Sequence, residues 1–253
     1  MQLCPTCGNQ VPDNAAFCSN CGTKLSAKPQ SRASATLMLQ VDGAVRQHRL
    51  VQVRPGGHDG ASFTLSPGRS ILGRGEAQIR IDDPYLSPKH LELNLREEQV
   101  TVQDLQSSNG VFLRIRADTG LVPRDEIRIG RQLLRFEPLP EAEVGPDSGR
   151  IWGSPNRGAR FRVCQLLEGA GLGEALPLGD GEYLFGREEG GMTFPADPSV
   201  SRRHAILSVV RENVILRDLE SANGTFLRLR RETALTPGDE LLIGAQQLRY
   251  EAA

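Results

Sequence analysis

An internal repeat constrains this chain more than any other feature. Ser87-Pro88-Lys89-His90 returns as Ser201-Arg202-Arg203-His204, 114 residues later. The run from Asp104 through Ser108, Asn109, Gly110 and Phe112 to Leu113 returns at the same spacing. Its second copy runs from Asp218 through Ala222, Asn223, Gly224 and Phe226 to Leu227. Asp125-Glu126-Ile127-Arg128-Ile129-Gly130 likewise returns as Asp239-Glu240-Leu241-Leu242-Ile243-Gly244. Upstream, Leu72-Gly73-Arg74 matches Phe185-Gly186-Arg187 at 113, so the second copy carries one extra loop residue before Ser201. A register held over so long a span marks a tandem duplication, and the two copies must share a fold.

The pattern inside each copy is that of strands. His90 to Leu95, Val100 to Val102 and Leu133 to Phe136 alternate or run apolar over short spans, and Gly, Pro, Asp and Asn punctuate them. The second copy does the same at Ala205 to Val210, Val214 to Leu216 and Gln247 to Tyr250. No amphipathic helix is evident. Many short strands at even spacing predict an all-β fold, a sandwich or a barrel, in each copy. Linkers fall where the repeat stops. The expected division is an N-terminal module over 1–25, a linker over 26–44, a domain over 45–138, a second linker over 139–159 and a second domain over 160–253. The lone Trp152 falls in the second linker, either packed on a neighbouring domain or exposed at its edge.

Charge excludes some classes of function. The 253 residues carry 30 Lys and Arg against 31 Asp and Glu, a net charge of −1, which offers no general attraction to nucleic acid or an anionic membrane. No apolar run approaches the ~18–20 residues that span a bilayer, and the start Met1-Gln2-Leu3-Cys4-Pro5 is not a signal sequence. The expected location is cytoplasmic. Gly169-Ala170-Gly171-Leu172-Gly173 looks like a nucleotide loop, but Pro177 stands where its helix would begin. No nucleophile–base pair or open metal site is recognisable, so the chain is not expected to be an enzyme.

Four of the five cysteines, Cys4, Cys7, Cys18 and Cys21, form a C-x2-C-x10-C-x2-C array. In a reducing compartment such paired cysteines favour metal over disulfides. Four thiolates suit one tetrahedral Zn²⁺ and leave no open position, so the expected site is structural. A module of this size buries too little surface to fold without its metal. The segment resembles the short zinc ribbons that serve as interaction modules. With Lys24 and Asp13 as its charged residues over 1–25, it offers little footprint for nucleic acid. Cys164, in the apolar run Val163 to Leu167, reads as a small core residue.

Each copy carries Gly-Arg, then Ser-x-x-His, then Asn-Gly followed by Val or Thr and Phe-Leu. In this order these elements resemble the forkhead-associated (FHA) domain family, over roughly residues 48–137 and 161–251. The resemblance implies two β-sandwiches whose end loops bind a peptide containing phosphothreonine. Carried over by motif, Arg74 and Arg187 anchor the phosphate through the arginine fork. Ser87 and Ser201 donate hydroxyls to it, Asn109 and Asn223 hold the peptide backbone, and His90 and His204 brace the loop. Gly73 and Gly186 permit a tight backbone beside the anchor. Taken singly, Arg74, Ser87 and Asn109 also read as a surface residue and turn formers.

The copies depart from the family pattern in opposite ways. The first has Pro88, without a donor, where the second has Arg202; the first keeps Ser108 where the second has Ala222. A charged donor outweighs a hydroxyl, so the second copy is expected to bind phosphate more tightly. Asp82 and Asp83 precede the Ser87 loop, either weakening phosphate binding or standing as solvated loop residues or turn caps. The leading expectation is an adaptor that reads Thr-phosphorylated proteins, Ser/Thr kinases or their substrates. The alternative is a phosphate-independent scaffold.

Overall fold

The computed structural model of the protein describes residues 2–3, 6–11, 17–18, 20–21, 23, 46–140, 146–149, 152–156 and 158–253. They fall into two units, 1–45 and 46–253. In the first, β1 (Gln2–Leu3) pairs antiparallel with β2 (Gln10–Val11). Cys4 and the expected linker over 26–44 lie outside the described residues.

In the second unit each copy supplies ten strands. The first copy gives β3 (His48–Val53), β4 (Asp59–Thr64), β5 (Gly68–Gly73), β6 (Ile79–Arg80) and β7 (Leu91–Arg96). It continues with β8 (Gln99–Asp104), β9 (Val111–Arg114), β10 (Thr119–Gly120), β11 (Glu126–Ile129) and β12 (Gln132–Pro138). The second copy repeats the series as β13 (Phe161–Leu166), β14 (Leu172–Leu178), β15 (Gly181–Gly186), β16 (Met192–Thr193) and β17 (Ala205–Val210). It ends with β18 (Asn213–Asp218), β19 (Thr225–Arg228), β20 (Thr233–Leu235), β21 (Glu240–Ile243) and β22 (Gln246–Ala252). The alternation read from sequence is the alternation of burial. In β7, Leu91, Leu93 and Leu95 are buried between Glu92, Asn94 and Arg96; in β17, Ala205, Leu207 and Val209 are. A strand repeats every two residues and so presents one apolar face. The Gly169–Gly173 run leads into β14 and no helix follows it.

The copies in sequence are not the sandwiches in space. One five-stranded sheet runs β20-β8-β7-β5-β6 and the other β10-β18-β17-β15-β16, so each takes a strand from the opposite copy. Both face a ten-stranded sheet ordered β14-β13-β12-β11-β19-β9-β21-β22-β3-β4. The first core combines Leu50, Leu72, Leu91 and Val111 with Leu235, Leu241, Leu248 and Tyr250 of the second copy. The second combines Phe185, Leu207 and Leu216 with Leu121, Ile127, Leu134 and Phe136 of the first. The C-terminal three strands of each copy are thus exchanged. Both cores combine residues from either side of the expected limits at 138 and 160.

The exchange turns on the short stretches that follow β9 and β19. After Arg114 the chain passes through Ile115–Asp118 to pair β10 with β18; after Arg228 it passes through Leu229–Glu232 to pair β20 with β8. Arg217 holds Asp118 through two hydrogen bonds, and Thr101 Oγ1 donates to Glu232 at 2.5 Å. At the centre β9 and β19 pair antiparallel, with Leu113 opposite Leu227, its own counterpart in the repeat. A local two-fold therefore passes through that pair. It maps the ion pair Arg114–Glu240 onto Arg228–Glu126, both 2.8 Å. Of the two readings of Trp152 the exposed one holds, at 99% exposure, whereas Cys164 is buried.

Candidate functional site

The sequence-predicted residues come together twice, once at each end of the β9–β19 pair. In the first loop the Arg74 N–H donates to Ser87 O at 3.1 Å, fixing the anchor beside the serine. Ser87 Oγ accepts the Ser108 N–H at 3.1 Å, which leaves the hydroxyl proton for a ligand. Asn109 Nδ2 donates to Tyr85 O at 2.7 Å and ties the two loops together. The second loop repeats each bond: Arg187 N–H to Ser201 O at 2.9 Å, Ala222 N–H to Ser201 Oγ at 3.1 Å, Asn223 Nδ2 to Ser199 O at 2.8 Å. Asn109 and Asn223 thus spend one N–H on the protein and keep an oxygen and a second N–H.

His90 and His204 are fully buried behind the loops. Their Nδ1 atoms accept the N–H of Ser87 and Ser201, and their Nε2 atoms face the carbonyls of Gly110 and Gly224, all at 3.0 Å. This pattern demands a neutral ring with its proton on Nε2. Burial lowers the pKa of His204, which the nearby Gly224 carbonyl and the Asp218 and Asp197 charges only partly oppose. The glycine beside each anchor answers to a close approach. A Cβ on Gly73 would stand 2.2 Å from Pro88 O, and one on Gly186 2.2 Å from Arg202 O.

Sequence reasoning missed the residues that hold these loops from behind. Asp104 Oδ1 accepts the Ser107 N–H, and Ser107 Oγ accepts the Gly110 N–H; Asp218 and Ser221 do the same for Gly224. Asp83 is a buried brace, not a solvated loop residue. It is 2% exposed and accepts from Tyr85 N–H, Ala245 N–H and Gln246 Nε2. Asp197 accepts from Ser199 N–H, Arg131 N–H and Gln132 Nε2. Burial raises the pKa of its carboxyl, but the Ser199 hydroxyl, which also donates to it, and these three bonds together hold it below the usual range. Each binding loop therefore rests on a hairpin of the other copy. The equal spacing of the aspartates in the repeat was the signal available.

Around the anchors the copies part. Arg74 is exposed and forms no ion pair among the described residues, and Pro88 offers no donor. In the second copy Glu188 lies between the two expected phosphate ligands: Arg187 Nη2 is 3.3 Å from its Oε1 and Arg202 Nε 3.3 Å from its Oε2. Arg202 Nη2 also meets Glu189 at 3.0 Å. A carboxylate thus bridges the two guanidinium groups. In the first copy the residue after the anchor is Gly75.

In the N-terminal unit the Sγ atoms of Cys7, Cys18 and Cys21 lie within 4.8 Å of one another, Cys7 and Cys18 at 3.7 Å. Zinc–sulfur bonds of ~2.3 Å in a tetrahedron place sulfurs ~3.8 Å apart, so the cluster fits a metal. Asn20 Nδ2 lies 3.6 Å from Cys7 Sγ and Thr23 Oγ1 3.1 Å from Cys21 Sγ, as expected of groups donating to thiolates.

The sequence profile of the FHA domain matches residues 67–130 and 183–244, and that of the zinc-ribbon domain matches 3–25. Among curated proteins, the FHA domain-containing protein FhaB of Mycobacterium tuberculosis is 33% identical over 121 residues, 46% of this chain and 69% of that one. The glycogen accumulation regulator GarA of the same species is 28% identical over 128 residues, 49% of this chain and 78% of that one. The oxoglutarate dehydrogenase inhibitor of Corynebacterium efficiens is 34% identical over 96 residues, 37% and 68% of the two chains. Two of these relatives are named as a regulator and an inhibitor. Among the described residues no helix is long and apolar enough to cross a membrane.

Proposed function

The chain belongs to the FHA domain family, with an N-terminal zinc-ribbon match, and on that premise we propose that it is a non-enzymatic adaptor that reads phosphothreonine in Ser/Thr kinase signalling. One observation supports this most: at each loop a serine hydroxyl proton is left over while its oxygen already accepts a hydrogen bond, next to an arginine held by its backbone, Arg74 exposed and Arg187 half-buried. Arg74 and Ser87 form one anion site, and Arg187, Ser201 and Arg202 the other. Asn109 and Asn223 take the peptide main chain, and Ser108 adds a hydroxyl to the first site. A dianionic phosphate is well matched to such converging donors. Its partners are Thr-phosphorylated proteins, Ser/Thr kinases or their substrates. The cysteine cluster holds one structural Zn²⁺ with Cys4 as fourth thiolate, and the ribbon it stabilises is a further protein contact.

The full chain, titrated with matched phosphothreonine, phosphoserine and unmodified peptide libraries, tests this reading. Phosphothreonine peptides are expected to bind and the R74A/R187A double variant to lose them. Equal binding of all three libraries, unaffected by the double substitution, rules it out in favour of a phosphate-independent scaffold. The Glu188 carboxylate already seated between Arg187 and Arg202 is the observation that favours that second reading.

A further inference from the structure

We infer that the two loops act as one receptor for a two-fold partner, a protein dimer that carries one phosphothreonine on each protomer. This rests on the phosphothreonine reading and adds to it the spacing and symmetry of what is read. The register of β9 and β19 pairs Arg114 with Phe226, Leu113 with Leu227 and Phe112 with Arg228. Beyond it, Ile115 N–H bonds Thr225 O and Leu229 N–H bonds Val111 O. Asn109-Gly110 precedes one strand and Asn223-Gly224 the other, so the loops sit at opposite ends of one antiparallel pair. At ~3.3 Å per residue, the strand pair and the turns beyond it separate the loops by on the order of 20 Å.

That separation is fixed by the fold. The first loop is hydrogen-bonded through Asp83 to Ala245 and Gln246, the second through Asp197 to Arg131 and Gln132. Under each Asn-Gly turn lies an arginine from the other copy, Arg228 beneath Gly110 and Arg114 beneath Gly224. Two domains on a flexible tether sample many spacings, and the effective concentration of the second site falls with tether length. Two sites on one strand pair keep a single spacing. Symmetry sets the rest. Sites related by a two-fold bind peptides that run in opposite directions. One continuous doubly phosphorylated peptide would have to reverse on itself between them, whereas the two protomers of a symmetric dimer present their segments in that relation. The weaker donor set around Arg74 is suited to this role, since it acts only after the other site is filled.

The probe is a phosphothreonine peptide from the library above, used alone and as two copies joined through their C-termini by a polyethylene glycol spacer long enough to span both loops. The full chain is titrated with each. The two-headed probe is expected to bind one-to-one and at least about tenfold more tightly than the single peptide. That gain is expected to vanish in R74A and in R187A alike. A two-headed probe that gains nothing, or that gathers two protein chains, overturns the inference while leaving the phosphothreonine reading intact. Failure of the single peptide to bind at all overturns both.

Discussion

Around the first loop Arg74 stands in solvent with Pro88 and Ser108 beside it; around the second, Arg187 and Arg202 share the Glu188 carboxylate. The backbone of the two loops is otherwise bonded alike, from the anchor N–H to the buried histidine. Counting donors ranks the second loop higher, because a guanidinium replaces a proline. Availability ranks it lower, because those donors are engaged. The four side chains of the three ion pairs at the second loop are all at least a third exposed, and exposed pairs contribute little. The attraction of two guanidinium groups for a dianion is therefore expected to be the larger effect, reduced by the displacement of one carboxylate.

The largest expected effect tests whether these are two loops of one body. A protease site inserted between Ser154 and Pro155 and then cut is expected to leave both fragments in one particle on gel filtration, because each core contains strands from both. Fragments that separate without denaturant would break the comparison at its root. Next in size, Arg187→Ala in the full chain is expected to weaken phosphothreonine binding at the second loop by at least about tenfold, the scale of a lost charge-assisted hydrogen bond. Arg74→Ala should leave that loop unchanged, as NMR of the arginine side chains would report. A larger loss from Arg74→Ala would invert the ranking.

Smaller is the effect of Glu188→Gln. Removing the resident carboxylate is expected to tighten the second loop by about two- to fivefold, the range of an exposed ion pair, and to leave the first untouched. Weaker binding would mean that Glu188 positions the arginines instead of competing for them. The smallest effect concerns pH. Because burial lowers the pKa of folded His204 below the ordinary histidine value of 6.5, the folded protein holds fewer protons than the unfolded one in that range. Stability is thus complete above ~6.5 and lost as pH falls below it. The melting temperature should drop between pH 7.5 and 5.5 by a few degrees. A flat profile would remove His204 from the account.

Much of this was legible in the residues. The repeat, the strand alternation at Leu91 to Arg96 and Ala205 to Val210, and the order of Gly-Arg, Ser-x-x-His and Asn-Gly located both loops. The exchange was not legible, for a physical reason. Ile127 and Ile129 of β11 and Leu241 and Ile243 of β21 present the same pattern of buried residues to a sheet. Either hairpin satisfies either core, so no local pattern distinguishes self-pairing from exchange. The chain crosses from one sandwich to the other within the four residues after Arg114 and after Arg228. The role of Asp83 was hidden likewise, because its partners Ala245 and Gln246 lie 162 and 163 residues away in the chain. Glu188 is adjacent to Arg187 in sequence, but its bridge to Arg202 exists only in the fold.

The exchange also sets the order of events on the ribosome. Strand β3 pairs with β22, joining Leu50 to Tyr250 and Val51 to Arg249. The sandwich begun first is therefore finished last. At ~5–20 residues per second, on the order of ten seconds separates the emergence of β9 from that of β22. Through that interval Leu50, Leu72, Leu91 and Val111 form an apolar surface without its exchanged cover. The first core found in the fold cannot close until those last strands arrive.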